Sequence, residues 1–460
     1  MNDMLNSAQK SNLGDGLIKE YWPSWTDYLS KTDDTKFLEL INKFLLRQDY
    51  DGMMRAAEEH FYSYPNKAEG LIKLYVHATV ELGNRDIAQY FLNMYFKLVN
   101  RCAVAHEEFS NLPMVVASNW FTSRVGEFVD QTAAVKRLIQ TGKLKEKPLL
   151  CIGGNETISN SAFFAYATEA FEVITNKDDF TRFSPGMQLR PLRMNFFYHS
   201  DRICDHSSPF LCKLDPELER LNIEKTCFNL DPDTIERSLL FLRDYDLNKG
   251  DNFVVLHLRA EGYCDYNHHK NRNTEIVSYL PAIRDLLDKG FKIVRIGHKK
   301  MPKIEAMTGL IDLTYVDRPD EVDIYLCAMA RFYFGSGSGP YSLANCFGTP
   351  SLLTGHFPTD FQRPNVLAQF ARVFSTRTGK KIPFKDISNS AIRGISSPNA
   401  LRLNGLRYEH PSQTDIREAA NDMLDFIDDG EVKKVNIEHK KEFLANNFHG
   451  NMCMQNIEEF

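Results

Sequence analysis

The chain has 460 residues, 43% of them hydrophobic and 25% charged, with a formal charge of −6 and a pI near 6.1. That balance provides no global attraction to nucleic acid or to an anionic membrane surface, so any anion site has to be local. The composition is that of a globular protein with material for two or three domains.

The first residues, Met1 to Lys10, lack the basic start and apolar core of a signal peptide. No later run of about 20 apolar residues could span a bilayer. A cytoplasmic protein without an integral membrane segment is expected. Nine cysteines, an odd number at wide spacing, read as reduced thiols rather than a disulfide framework.

From Thr35 to Val104 the apolar residues recur at helical spacing, as in Phe37, Leu38, Ile41, Phe44 and Leu45. A helical domain over residues 1–120 follows. Asp51 and Arg85 open two similar segments 34 residues apart, the period of tetratricopeptide repeats, which points to a docking surface for a protein partner or a second copy of the chain. A generic helical packing domain is the alternative.

An α/β pattern begins near Lys147. Pro148 to Ile152 is a short apolar strand, Gly153 to Thr157 a turn, and Ala162 to Ile174 an apolar-periodic helix. A further strand is suggested at Leu192 to Tyr198. Asp231-Pro232 is an N-cap followed by proline, starting a helix that runs to Tyr245. Residues 145–247 form a first Rossmann-like domain on this reading. Residues 248–410 form a second, with strands predicted at Phe253–Leu258, Phe291–Ile296, Ile311–Val316, Phe332–Gly335 and Ser351–Leu353. Helices fall between them, the pattern of a doubly wound parallel sheet. Residues 411–460 are C-terminal helices, with Ser412, Gln413 or Thr414 capping a helix to Asp428 and this segment crossing back to the first α/β domain.

In an open parallel sheet, ligands bind beyond the carboxyl ends of the strands. The residues placed there are His257 and Arg259, the loop to Asn273, His298, Asp317 and Arg318, and the turn Ser336, Gly337, Ser338 and Gly339. A diphosphate is held by backbone N–H groups at a helix N-terminus, by hydroxyls and by arginines that grip two oxygens. The Gly-Ser turn offers the first two and Arg259 the third. A dinucleotide fingerprint at Gly335 and Gly337 lacks its third glycine and its ribose-binding acid. Zinc at His257, His268, His269 and Asp265 has poor ligand spacing, because adjacent loop histidines rarely face the same way. Asp231-Pro-Asp233 and Asp244-Tyr-Asp246 read as helix-end residues rather than metal ligands.

Phe253-Val-Val-Leu-His-Leu-Arg259 with Tyr263 resembles the His-x-Arg segment of bacterial α-1,2-fucosyltransferases and of O-fucosyltransferase-like enzymes. The span from Lys147 to Asp428 is similar to a bacterial family of glycosyltransferases found with surface-polysaccharide or flagellin modification genes. Arg272-Asn273, the Gly335 to Gly339 turn and Gly348-Thr349-Pro350 match its order of motifs. The resemblance implies two facing Rossmann-like domains of the GT-B type, here preceded by an all-α domain. It also implies a nucleotide-sugar donor used as substrate, with no cofactor and no metal, and a glycan or protein hydroxyl as acceptor. Arg259, by position, contacts the donor diphosphate, with Arg272, Asn273, His298, Ser336, Gly337, Ser338 and Gly339 also on the donor side. Glu261-Gly262 replaces the family's Gly-Asp, so a fucose donor does not follow.

Transfer with inversion needs a base for the acceptor hydroxyl. Asp265, Glu156 and Glu261 are the candidates, and His257 is a further group at the reacting centre. Among other functions, a non-catalytic nucleotide- or glycan-binding module docked through the helical domain is the leading alternative. An oxidoreductase lacks its acid, and a glycosidase or phosphatase lacks paired carboxylates at a telling spacing.

Overall fold

In the computed structural model, the residues described are 115–117, 122–176 except 143, 145 and 153–157, 197–199, 202–204, 218–260 except 225, 271–357, 365–388, 398–429 and 451–452, with a few positions between 43 and 56. The expected N-terminal helical domain lies outside the described residues. So do Glu156 and Asp265.

The strand Phe253-Val-Val-Leu-His257 shows why the second sheet forms. All five residues are buried, and alternate ones enter two different cores because successive side chains of a strand point to opposite faces. Phe253 and Val255 join one apolar cluster, Val254 and Leu256 the other. A strand apolar on both faces is stable only between two helical layers, which is the setting of a parallel sheet.

We number strands and helices in chain order. The first sheet has β1 (Val115–Ala117), β2 (Leu149–Cys151) and β3 (Glu172–Ile174), parallel in that order. Its helices are α1 (Val125–Gln140) and α2 (Phe164–Ala170). A two-stranded hairpin, β4 (Phe197–His199) and β5 (Arg202–Cys204), and helix α3 (Pro232–Leu242) follow. The second sheet contains β6 (Phe253–His257), β7 (Lys292–Arg295), β8 (Leu310–Asp312), β9 (Phe332–Gly335), β10 (Ser351–His356) and β11 (Val366–Phe370). Its helices are α4 (Leu280–Asp288), α5 (Asp320–Met329) and α6 (Gly339–Cys346). An antiparallel pair of β12 (Arg372–Ser375) and β13 (Leu406–Glu409), separated by two short unnumbered helices at Phe384–Ser388 and Pro398–Leu403, is followed by helix α7 (Gln413–Asp429) and the short strand β14 (Asn451–Met452).

The second sheet runs β14-β11-β10-β9-β6-β7-β8, with every pairing parallel. From β6 the chain winds outward through β7 and β8, then returns to the other side of β6 as β9. The order therefore reverses between β6 and β9, and at such a switch point the flanking loops leave in opposite directions and open a crevice.

Five expectations change. The first α/β unit starts at β1 and includes α1, ahead of the Lys147 start and the 120 and 145 boundaries read from the sequence. The segment Ala162 to Ile174 is not one helix. Phe171 turns extended at φ −124°, ψ 153°, and the β-branched Val173 and Ile174 become strand. Strand β8 closes at Asp312, whose carboxylate takes the backbone N–H of Thr314 at 3.0 Å and turns the chain.

The two α/β parts are not separate bodies. Residues 112–265 and 269–460 form one compact unit, and one apolar cluster runs from Phe128, Phe163 and Phe171 to Val255, Tyr333 and Leu343. Helix α7 buries Ile416, Ala419, Ala420 and Met423 against Ile283 and Leu286 of α4 and Leu352 and Leu367 of the second sheet, instead of crossing to the first α/β part. Its start is a reciprocal cap: Asp415 N–H donates to Ser412 Oγ at 3.2 Å, and Ser412 N–H to the Asp415 carboxylate at 2.7 Å.

Candidate functional site

The β6 and β9 strands end side by side, with His257 opposite Gly335. They pass so closely that a Cβ on Gly335 would lie 1.9 Å from the His257 carbonyl oxygen, and Gly335 holds φ at 150°. Glycine is therefore required here by the approach of two strands. Beyond it, Ser336 N–H donates to His257 O at 3.3 Å, and Ser336 Oγ accepts the backbone N–H of Arg259 at 3.0 Å. Ser336 is buried at 2% exposure. It fastens the two loops together and is not the exposed phosphate donor expected from the sequence.

Ser338 starts α6, yet its side chain does not cap that helix. Its Oγ lies 2.8 Å from His257 Nδ1 and 3.3 Å from the Tyr333 hydroxyl, which itself donates to Ser336 O at 2.9 Å. Burial pushes the Tyr333 phenol far up, so it stays a proton donor. The first turn of α6 thus lacks a side-chain cap from its own serine, and an uncapped amide end of a helix attracts anions.

His257 is buried. Desolvation first, then the positive charges of Arg259, His298 and Arg295, push its pKa down to about 3. It is a neutral imidazole at ordinary pH, holding the Ser338 hydroxyl. The sequence reading gave it a role at the reacting centre; its geometry is that of a positioning residue beneath the turn.

Arg259, Arg272, Asn273, His298, Gly337, Ser338 and Gly339 are all partly exposed around this floor. Arg259 Nε donates to Asn273 Oδ1 at 3.2 Å, and Thr274 N–H donates to Arg259 O at 2.9 Å, which draws the Arg272-Asn273 segment to the mouth of β6. Arg272 Nη1 donates to Gly337 O at 3.4 Å. His298 follows β7, with its Nδ1 accepting from Lys300 N–H at 3.2 Å. Its pKa is lowered by burial, by Lys300 and by Arg259. Apart from the buried Ser336, the residues expected on the donor side lie around the carboxyl ends of β6, β7 and β9. Arg318 does not join them: its guanidinium grips the Asp323 carboxylate at 2.6 and 3.0 Å and the carbonyls of Gly297 and Leu313.

The first α/β part reaches the same place. A Cβ on Gly339 would lie 2.3 Å from Val125 Cγ1, and one on Gly126 would lie 3.0 Å from Gly339 Cα. The amino ends of α1 and α6 abut there, with the Val125 side chain against Gly339. One turn along, Ser342 Oγ donates to the Asp130 carboxylate at 3.0 Å.

Two groups at this mouth escaped the sequence reading. Tyr333 looks like one more aromatic in the run Phe332-Tyr-Phe334; its signal was a hydroxyl on a strand otherwise apolar, two residues before the turn. His356 ends β10, which the sequence reading closed at Leu353. The signal was the continuation of the strand through Thr354-Gly355 to a polar residue.

A cavity of about 390 Å³ lies at the opposite edge of the sheet, lined by Asp251, Asn252, Ala330, Arg331, Phe347 and Pro350 among others. There α5 and α6 present their carboxyl ends, which repel anions. Among the described residues no group of three His, Cys, Asp or Glu side chains could hold a metal ion, and no helix is long and apolar enough to cross a membrane. Asp231 caps α3, accepting Thr234 N–H at 3.0 Å.

No family model matches the chain, and no curated protein matches it. Among solved structures it is similar to a family 9 glycosyl transferase from Veillonella parvula, at 10% identity and a TM-score of 0.34, covering 56% of this chain and 86% of that one. It is also similar to the iron-containing dodecameric glycosyltransferase TibC of enterotoxigenic E. coli, at 13% identity and a TM-score of 0.33, over 55% of this chain and 62% of that one. E. coli heptosyltransferase WaaC, solved with ADP, has 12% identity and a TM-score of 0.31, over 56% and 90% of the two chains. Likenesses this shallow leave function to the chemistry of the site.

Proposed function

We propose that the chain is a glycosyltransferase that takes its sugar from a nucleotide-sugar donor and holds the donor diphosphate in the crevice between β6 and β9. One observation carries this reading: the Arg259 backbone bonded to Ser336, Arg272 bonded to Gly337 and Ser338 bonded to His257 gather two arginines and the uncapped start of α6 around one turn at the switch point of a doubly wound sheet. A diphosphate needs cations, hydroxyls and N–H donors within one small space.

In transfer, negative charge grows on the leaving diphosphate, and preorganised donors stabilise it most. Arg259 and Arg272 supply charge, a task done by divalent metal in other sites, and α6 supplies dipole and amides. Neutral His257 keeps Ser338 aimed. Asp265 or Glu156, both outside the described residues, takes the proton of the acceptor hydroxyl on a glycan or protein. We place the reaction in the cytoplasm and assign the N-terminal helices to docking.

The test is thermal shift with UDP, GDP, CMP and ADP, followed by hydrolysis of the corresponding nucleotide sugars. A ligand at 100 times its Kd stabilises the folded state by about 2.7 kcal/mol. Arg259→Ala should weaken the binding nucleotide at least about tenfold while leaving unfolding stability within about 1 kcal/mol. If none of the four nucleotides raises the melting temperature, the proposal fails. Binding without turnover, unaltered by Asp265→Ala and Glu156→Ala, assigns the chain instead to nucleotide recognition.

A further inference from the structure

We propose that His356 is a phosphate contact in this crevice, its imidazole bonding an oxygen of the diphosphate that lies over Gly337. The inference rests on the reading of the site given above and adds a residue to it.

His356 ends β10, the neighbour of β9, so the topology sets it at the same mouth as the Gly-Ser turn. The rest of β10 is buried, but His356 is partly exposed. Its ring lies along Gly337: a Cβ there would be 3.5 Å from Nδ1 and 3.7 Å from Cε1. The same glycine gives its carbonyl to Arg272 at 3.4 Å, so Arg272 and His356 flank a single residue. The Phe370 ring, 6.1 Å away between centroids, packs against the imidazole and limits its rotation.

His257 shows what a purely structural histidine looks like in this fold. It is buried and committed to Ser338. His356 instead faces the one residue of the turn that has room beside it.

The charges around it determine what a ligand would change. Burial first, then Arg272, push the His356 pKa down to about 4, so the imidazole is neutral near pH 7. The other groups at this mouth are Arg259 and His257 on the β6 side, His298 beyond β7, and Tyr408 and His410 beside Gly355. A diphosphate offsets the field of Arg272 and adds negative charge beside the ring, which favours the imidazolium. Binding should then take up a proton at His356, and the charge-assisted bond should strengthen as pH falls toward about 6.

The experiment is calorimetric titration of the full chain with inorganic pyrophosphate near pH 6, in two buffers of different ionisation enthalpy. Wild type, His356→Gln, His356→Ala and Arg259→Ala are compared after their melting temperatures are measured. Wild type should show proton uptake on binding. His356→Gln, which keeps a hydrogen-bonding group but cannot titrate, should lose most of that uptake and bind about tenfold more weakly, with His356→Ala weaker still. If both His356 variants bind within about twofold of wild type with unchanged uptake while Arg259→Ala is impaired, His356 is not a contact and the site stands without it. If pyrophosphate does not bind wild type, this inference and the site reading fall together.

Discussion

Gly335 and Gly337 stand two residues apart in the same turn, and substituting alanine at each should have opposite consequences. At Gly335, where φ is already 150°, the added Cβ would lie 1.9 Å from the carbonyl oxygen of His257 in the backbone of β6. Relief requires β9 to part from β6 by more than 1 Å, given that real Cβ contacts stay beyond 3.0 Å. That parting breaks the Ser336 N–H to His257 O bond and strains the Arg259 N–H to Ser336 Oγ bond. Two hydrogen bonds at about 1 kcal/mol each, plus about 1–3 kcal/mol for a side chain in that backbone region, give a loss of about 3–5 kcal/mol for Gly335→Ala. At Gly337 the new methyl meets only His356, at the ordinary contact distance of 3.5 Å, so Gly337→Ala should stay within about 0.5 kcal/mol of wild type. It does occupy the surface over which the diphosphate is placed, and should weaken pyrophosphate binding about tenfold or more. Urea unfolding and calorimetric titration of the two variants measure both quantities. A Gly337→Ala protein that folds normally and binds pyrophosphate as wild type does would refute the placement of the ligand, and a stable Gly335→Ala protein would refute the strand-crossing argument.

Two further outcomes are expected. His257 has a folded pKa near 3 against about 6.5 unfolded, so between these values the unfolded chain binds a proton that the folded chain does not. Its contribution is intact above about pH 6.5 and is lost as pH falls, by roughly 2 kcal/mol at pH 5. Urea midpoints across pH 5 to 8 should show this slope added to that of His356, whose pKa is also pushed down, and His257→Asn should remove only the His257 share of about 2 kcal/mol at pH 5. Ser412→Ala removes one half of the reciprocal cap at the start of α7 and should lower stability by about 1 kcal/mol in the same assay.

The second sheet was legible from sequence because its strands are apolar on both faces and separated by short helices, a pattern with one compact solution. His257, Arg259 and the Gly-Ser turn could be placed at its mouth for the same reason: each directly follows a strand. Their mutual contacts could not be read, since the bond from Ser338 to His257 joins residues 81 apart in the chain. The role of Ser336 was misread because exposure depends on how closely β9 passes β6, which no local pattern encodes. The first α/β part was placed too late because β1 has only three residues, too few to show a period. The seam between its α1 and α6 was invisible for a related reason, as Gly126 and Gly339 reveal their purpose only when the two helices are brought together.

That seam has a consequence for how the crevice can respond to a guest. The turn is pinned at one abutment by the β6 backbone against Gly335 and at the other by Gly126 against Gly339. Between the two abutments Ser336 and Ser338 are bonded on the β6 side and Gly337 O accepts from Arg272, so the turn is set before any phosphate reaches it. Little order remains to be imposed on arrival, and more of the contact energy is left to appear as affinity.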